Sequence, residues 1–372
     1  MAPTQDALYS DLDLDLSWSE SELPERERTK HVHRLHPYLG KFIPQLVEEL
    51  LRRHVAPGGA VLDPFAGSGT TLVQGLESGH PVTGIDLAAF NCLLMHVKTD
   101  RYNLFRLEHD LRSALARFER GEGVAAGRPS AYVRHWFAPA ATEELLRFRS
   151  LVDEYEHADV LRIVLARAAR SARMTTHFDL DFPRSPQREP YWCFKHKREC
   201  RPVERAGHFL HRYTLDTLAR LKAYAQVRGT QPARVVHGDA CDAHLGARYA
   251  AVLTSPPYPG LIDYHEQHRY AYELLGLEDL RQHELGAAVR GTGRGAISAY
   301  SDGIASVLAR VAEKVTGDGP ILVVVNDRRE LYPDILARAG LQVDGRHRRH
   351  VNRRTGRRAG EFFEDVLVAR RA

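Results

Sequence analysis

Residues 252–260 read VLTSPPYPG, so a short apolar run passes directly into Ser255, Pro256, Pro257 and Tyr258. Each proline fixes its φ and offers no N–H, and each pushes the residue before it toward extended backbone. The result is a stiff corner whose carbonyl oxygens stay outside helix and sheet bonding. Ser255 adds a hydroxyl and Tyr258 a flat aromatic face. Ser255 and the Pro256 carbonyl can accept hydrogen bonds from an amine while Tyr258 stacks on the ring that carries it. Those parts suit a planar ring with an exocyclic amino group. A purely structural turn is the simpler alternative for the four residues taken alone.

A second stretch, VLDPFAGSGTT at residues 61–71, reads as strand, glycine loop and helix start. Gly67 and Gly69 let the backbone approach a ligand closely, and the helix N-terminus favours polar or negative groups. A dinucleotide fingerprint requires a third glycine where Leu72 stands, and a phosphate-binding loop requires a Gly-Lys pair that is missing here. A nucleoside-like ligand without a pyrophosphate remains. Asp86 closes the next apolar run, HPVTGIDL. A carboxylate at that place accepts bonds from both hydroxyls of a ribose, or else caps the helix that follows.

These residues need an open α/β sheet, because in such sheets ligands bind beyond the carboxyl ends of the strands. The apolar pattern supplies one. Ile43, Leu46, Val47, Leu50 and Leu51 repeat at helical spacing, which predicts a helix from Pro44. Strand, glycine loop, helix and strand then alternate to about residue 100, where the rhythm stops. Residues 101–232 hold helical segments such as TEELLRFRSLVDEY and an irregular basic and aromatic stretch, REPYWCFKHKRECR. The rhythm resumes at ARVVHGDA, which ends in Asp239. GRGAIS reads as a loop, YSDGIASVLARVAEKV as a helix and GPILVVVND as a buried strand. LQVDGRHRRH and EFFEDVLVARR read as a closing antiparallel pair.

At 372 residues, with 43% hydrophobic residues, the chain has room for a large core. No apolar run approaches the ~20 residues that cross a bilayer, and the acidic N-terminus has no secretory layout, so a cytoplasmic protein without a membrane partner is expected. Cys92, Cys193, Cys200 and Cys241 are too few and too scattered for a disulfide framework. The net charge of +4 is unremarkable, but its distribution is uneven. Residues 1–30 carry eight acids against three bases and read as an acidic tail, disordered or lying across the domain that follows. Residues 346–358 carry Arg346, Arg348, Arg349, Arg353, Arg354, Arg357 and Arg358 and no acid. This run reads as an exposed loop or hairpin that grips nucleic-acid phosphates.

Taken together, DPFAGSGTT and TSPPY resemble motifs I and IV of the S-adenosylmethionine-dependent DNA amino-methyltransferases, and HPYLGKFIP resembles the segment upstream of motif I. The resemblance spans roughly residues 31–100 and 233–370. It implies a Rossmann-like methyltransferase fold: a mostly parallel seven-stranded sheet of order 3-2-1-4-5-7-6, helices on both faces and a largely helical or irregular insertion. The catalytic domain would comprise 31–100 and 233–372. The resemblance implies Asp63, Phe65, Gly67, Gly69 and Thr70 around the methionine end of S-adenosylmethionine. Asp86 would sit on its ribose, Asp239 on its adenine amine and Phe42 against the cofactor, with His36 and Lys41 nearby. It implies direct methyl transfer to an amine held by Ser255, Pro256, Pro257 and Tyr258.

Serine at the head of that motif is typical of enzymes that act on cytosine N4, whereas aspartate or asparagine marks adenine N6 enzymes. N4 of a flipped-out cytosine in double-stranded DNA is therefore the expected target. Adenine N6, an RNA amine and a non-catalytic DNA-binding role are the alternatives. Ring-carbon methylation requires a Pro-Cys nucleophile, and no such pair occurs, so Cys241 reads as a packing residue. The 101–232 insertion is the expected target-recognition region, although many relatives place theirs between the last two motifs. Cys193, His196, Cys200 and His208 are spaced C-x2-H-x3-C-x7-H, which matches no established zinc pattern, so no metal is expected. A cognate restriction endonuclease and a monomer or homodimer complete the expectations.

Overall fold

The structure, a computed structural model, describes residues 13–19, 21–177, 179, 183–246, 248–260, 262–351 and 362–372. The chain divides into two compact units. One comprises Met1–Met95, Val227–Asp263 and Gln282–Ala372, and the other His96–Gln226 and Tyr264–Arg281.

The first unit is built on a seven-stranded sheet. Its strands are numbered here β1 (Val61–Asp63), β2 (Val82–Asp86), β3 (Ala233–His237), β4 (Ala251–Thr254), β5 (Ile321–Val325), β6 (Leu341–His350) and β7 (Phe363–Arg371). Their spatial order is β3-β2-β1-β4-β5-β7-β6, the order that the family resemblance implies. The strands from β3 to β5 pair in parallel, and β7 runs antiparallel to both β5 and β6. β1, β4 and β5 are buried along their whole length, as unbroken apolar strands covered on both faces must be. Alternate residues feed two separate cores. Leu62, Val252 and Val323 pack with Ile304, Leu308 and Ile335 on one face. Val61, Leu253 and Leu322 pack with Leu46, Val47 and Leu50 on the other.

Helix Arg294–Ala312 begins inside the stretch read as a loop. The two glycines of that stretch suggested a loop, but Gly293 is the N-cap of the helix and Gly295 lies in its first turn, where an added Cβ would meet only open space.

The acidic N-terminal segment, where described, is part of the fold. Leu16 is fully buried in the core beside Phe42. Asp13 N donates to Arg348 O at 2.8 Å, and His350 N donates to Ser17 Oγ at 3.1 Å. Asp13 Oδ2 meets Arg53 Nη1 and His347 Nδ1, each at 3.1 Å. This strap therefore covers the outer edge of β6, which would otherwise present unpaired backbone groups.

The second unit is mainly helical, with long helices at Leu104–Glu119, Pro139–Val152, Ala158–Ala172 and Gly207–Ala225. Buried Glu144 accepts the N–H groups of Ala206 and Gly207 at 2.6 and 2.8 Å, satisfying donors at the start of the last of these helices. Buried Arg167 bonds Thr217 at 2.6 Å and lies over the Tyr213 ring at 4.4 Å. A two-stranded hairpin, Tyr191–Cys193 with Arg198–Cys200, emerges from the stretch read as irregular. Segment Tyr264–Arg281 groups with this unit instead of the sheet unit, because its helix Arg269–Leu275 buries Tyr270 and Leu274 there. Among the described residues, no helix is long and apolar enough to cross a membrane.

Candidate active site

β1 and β4 are adjacent parallel strands, with Val61 opposite Ala251 and Leu62 opposite Val252. The glycine loop and the Ser255–Tyr258 corner therefore leave the same edge of the sheet side by side. β2 and β3 flank them, and the pairing of Asp86 with His237 carries Asp239 to that edge as well. Residues from four strand ends, far apart in sequence, lie at one end of the sheet, where open α/β sheets form their binding crevice.

Asp63 ties the two loops together. Its Oδ1 accepts Thr254 Oγ1 at 2.7 Å and Phe65 N at 3.1 Å, and its Oδ2 accepts Thr71 Oγ1 at 2.6 Å. Thr254 immediately precedes Ser255, so the end of β1 sets the position of the corner. With only 2% of Asp63 exposed, burial pushes its pKa up to about 6 against the three donors that lower it. Its carboxylate is occupied by these bonds, which makes it a positioning residue behind the crevice.

The glycine loop is fastened on its other side by Asp86. Asp86 Oδ2 accepts Gly67 N at 2.8 Å, and Oδ1 accepts Ala88 N at 2.8 Å and Asn91 Nδ2 at 3.0 Å. Asn91 Nδ2 also lies 3.2 Å from Tyr38 Oη. Gly67 has φ +51°, and a Cβ there would stand 2.8 Å from that tyrosine oxygen. Gly69, at φ +78°, caps helix Thr70–Glu77, and a Cβ there would stand 2.8 Å from Met95. Both positions thus demand glycine for conformation and for space. Asp86 keeps one face exposed, and its pKa is raised first by burial, with the negative charge of Glu284 adding to the effect.

Asp239 Oδ1 accepts Cys241 N at 2.9 Å, which fixes the turn after β3. Burial, followed by the neighbouring Asp239, pushes the Cys241 thiol up to about 11. A thiol this reluctant to ionise is a poor nucleophile, in keeping with the packing role expected of it. At the corner, Ser255 and Tyr258 are partly exposed and Pro256 is buried. Tyr258 Oη donates to Glu364 Oε1 at 3.3 Å, and Glu364 Oε2 accepts Arg349 Nε at 3.1 Å.

Several expected residues stand elsewhere. Phe42 is 7% exposed and belongs to the core beside Leu46 and Val47. Arg346 and Arg348 sit on β6 of the antiparallel β6–β7 pair, the hairpin and not the loop of the two readings, with Arg346 Nη2 2.8 Å from Asp365 Oδ2 and Arg348 over the Phe363 ring at 4.8 Å. Arg349 is 2% exposed and bound to Glu364, so a phosphate cannot reach it. The alternation of the strand turns this arginine inward while its neighbours face out. Arg353, Arg354, Arg357 and Arg358 lie outside the described residues. Sequence reasoning missed Tyr38, Thr71, Asn91, Thr254 and Glu284. The first four adjoin the recognised stretches, whereas nothing in the sequence marked Glu284.

The crevice suits a cationic, nucleoside-like ligand. Asp86 and Asp239 stand on its rim with Glu284 acting on Asp86, and burial already strains the Asp86 carboxylate toward the neutral state. A positive group bound there would relieve that strain.

Comparison with known proteins accords with this geometry. A family model described as DNA methylase, covering N6 and N4 methyltransferases, matches residues 7–95, so the likeness begins well upstream of residue 31. The chain is 32% identical to the Type II methyltransferase M.MjaII of Methanocaldococcus jannaschii, across 96% of this chain and 83% of that protein. It is 25% identical to the Type II methyltransferase M.MvaI of Kocuria varians, across 61% of this chain and 53% of that protein. Among solved structures, TrmN from Thermus thermophilus superposes with a TM-score of 0.35 at 14% identity, across 90% of this chain and 50% of that one.

Proposed function

The chain belongs to the N6/N4 DNA methylase family, and from that premise we propose that it methylates the exocyclic N4 amine of cytosine in double-stranded DNA. S-adenosylmethionine is its methyl donor and supplies a methyl carbon already activated by the adjacent positive sulfur. Asp86 would hold the ribose, Asp239 the adenine amine, and the Gly67–Gly69 loop the methionine end. The observation that carries the reading is the place of Ser255: it heads the corner after β4, beside the glycine loop after β1.

The cytosine amine is a weak nucleophile because its lone pair is conjugated with the ring. Ser255 Oγ and the Pro256 carbonyl accept its two N–H bonds and draw it toward a tetrahedral geometry in which the lone pair is free. Tyr258 stacks on the ring, and its hydroxyl is steadied by Glu364 and Arg349. Fixing nucleophile and electrophile in line removes much of the entropic barrier, and no covalent enzyme intermediate is required. A base within a duplex must first be turned out of the stack, at a cost of a few kcal/mol.

The helical unit is the natural target-recognition region. Trp192 and Phe194 stand 58% and 81% exposed among Lys195, Lys197 and Arg198, a surface suited to stacking and to phosphate contact. A cognate restriction endonuclease would recognise the same site. The deciding experiment expresses the protein in a host without DNA methylation and analyses its nucleosides by mass spectrometry while mapping modified positions genome-wide. N4-methylcytosine within one short motif is the expected result. N6-methyladenine there would transfer the reading to adenine, and unmodified DNA with methylated RNA would end it.

A further inference from the structure

We propose that His177, Cys193, His196 and Cys200, in the helical unit, form a tetrahedral zinc site that staples the hairpin in place.

The four residues bring two thiols and two imidazoles to one point, and their ligand atoms all lie within 4.8 Å of one another. Cys193 Sγ is 3.5 Å from His177 Nδ1 and 3.6 Å from His196 Nδ1, and His196 Nδ1 is 3.5 Å from Cys200 Sγ. A tetrahedral zinc with bonds of about 2.3 Å to sulfur and about 2.05 Å to nitrogen holds its sulfur and nitrogen ligands about 3.5–3.6 Å apart. The observed spacings fall on that value. The fourth group is His177. His208, which the spacing had suggested, packs tilted against Phe209 at the start of the following helix instead, with ring centroids 3.7 Å apart.

The local backbone explains how the donors converge. Cys193 ends one hairpin strand and Cys200 ends the other, and both side chains are buried while their strand neighbours are exposed. Between them Lys197 takes φ +51° and His196 N donates to Cys193 O at 3.2 Å, so the turn folds His196 back onto the sulfurs. Tyr191 Oη accepts the backbone N–H of His177 at 3.0 Å and lies 2.9 Å from its Nδ1. On metal binding the hydroxyl keeps the backbone bond and yields the ring lone pair.

A hairpin of two three-residue strands is too short to hold itself together in water. This one gains little from burial, because its two largest apolar side chains, Trp192 and Phe194, face solvent. The cysteines are free, so no disulfide closes it. Metal ligation is the remaining source of cross-linking, and its binding free energy would serve as folding free energy.

The test is metal analysis of the full chain purified without chelator, followed by cobalt titration of the chelated protein. About one zinc per chain is expected, as is a tetrahedral cobalt spectrum with thiolate charge-transfer absorption. Cys200→Ser and His177→Ala should each weaken cobalt binding by more than about 100-fold, whereas His208→Ala should leave it unchanged. Because the titration uses the unaltered chain, a variant that misfolds does not decide the matter. Absence of stoichiometric zinc together with a featureless cobalt titration overturns the proposal. So does loss of metal on replacing His208 but not His177.

Discussion

Replacing Thr254 by valine tests whether Asp63 joins the two loops as a charged group. The exchange nearly conserves volume at a fully buried position and removes one hydroxyl, the donor 2.7 Å from Asp63 Oδ1. Asp63 is raised to about 6 in the folded chain, against about 3.9 in an unfolded one. Between those values the folded state retains a proton that the unfolded state releases, so this group's contribution to stability falls as pH rises from about 4 to 6 and is level above that. A hydrogen bond to a carboxylate contributes about 1.5–3 kcal/mol, whereas one to a neutral carboxyl contributes about 0.5–1.5 kcal/mol. Removing the donor raises the folded pKa further and extends the declining window upward, by roughly one pH unit for each 1.4 kcal/mol lost. Urea unfolding of both proteins at about pH 5 and about pH 8.5 reads the difference directly, and groups that titrate alike in the two proteins cancel. The variant should lose about 0.5–1 kcal/mol at the lower pH and about 2–3 kcal/mol at the higher. Equal losses at both would show that Asp63 carries no charge in the native state, or that the bond to Thr254 is immaterial.

Asp86→Asn should weaken S-adenosylmethionine binding at least about tenfold in calorimetry, because the charge on the rim is lost and the grip on Gly67 N–H is altered. Ser255→Ala should lower kcat for DNA methylation by about 10–100-fold and leave cofactor affinity within about twofold, since the hydroxyl is proposed to meet only the target amine. Arg349→Ala should destabilise the fold by about 3–5 kcal/mol, because it strands Glu364 at a nearly dry site. Arg346→Ala should cost less, about 1–3 kcal/mol by thermal or chemical unfolding, because its own guanidinium is exposed although its partner Asp365 is buried.

The sheet was legible because its signals are local. Buried parallel strands read as unbroken apolar runs, and the glycine loop and proline corner carry their geometry in their own residue types. The two loops' adjacency followed from strand order. Their physical bond through Asp63 and Thr254 joins residues 191 apart, beyond any local pattern. The arginine run misled because composition was read without phase: once placed on β6, Arg349 turns inward and Arg346 outward. The acidic N-terminal segment left two readings open, disordered or lying across the following domain, because charge does not report the apolar anchor: where described, Leu16 lies in the core and Asp13 meets Arg53 and His347. His177 was overlooked because it reaches the cysteines only after an intervening stretch that showed no regular pattern.

The polypeptide passes between the two units four times, since Tyr264–Arg281 returns to the helical unit after the proline corner has been made. Arg149 Nη1 donates to Leu274 O at 3.0 Å, and Arg173 lies 4.7 Å over the Tyr270 ring, so this returning segment is integral to that unit. A gene exchange that swapped only residues 96–226 would strand a helix bearing buried Tyr270, Tyr272 and Leu274 without its partners. Under the recognition role proposed for the helical unit, new sequence preferences would arise by two coordinated cassette exchanges, or by drift of solvent-facing side chains on an inherited scaffold. Recombinants made at a single pair of junctions should be insoluble far more often than recombinants made at both.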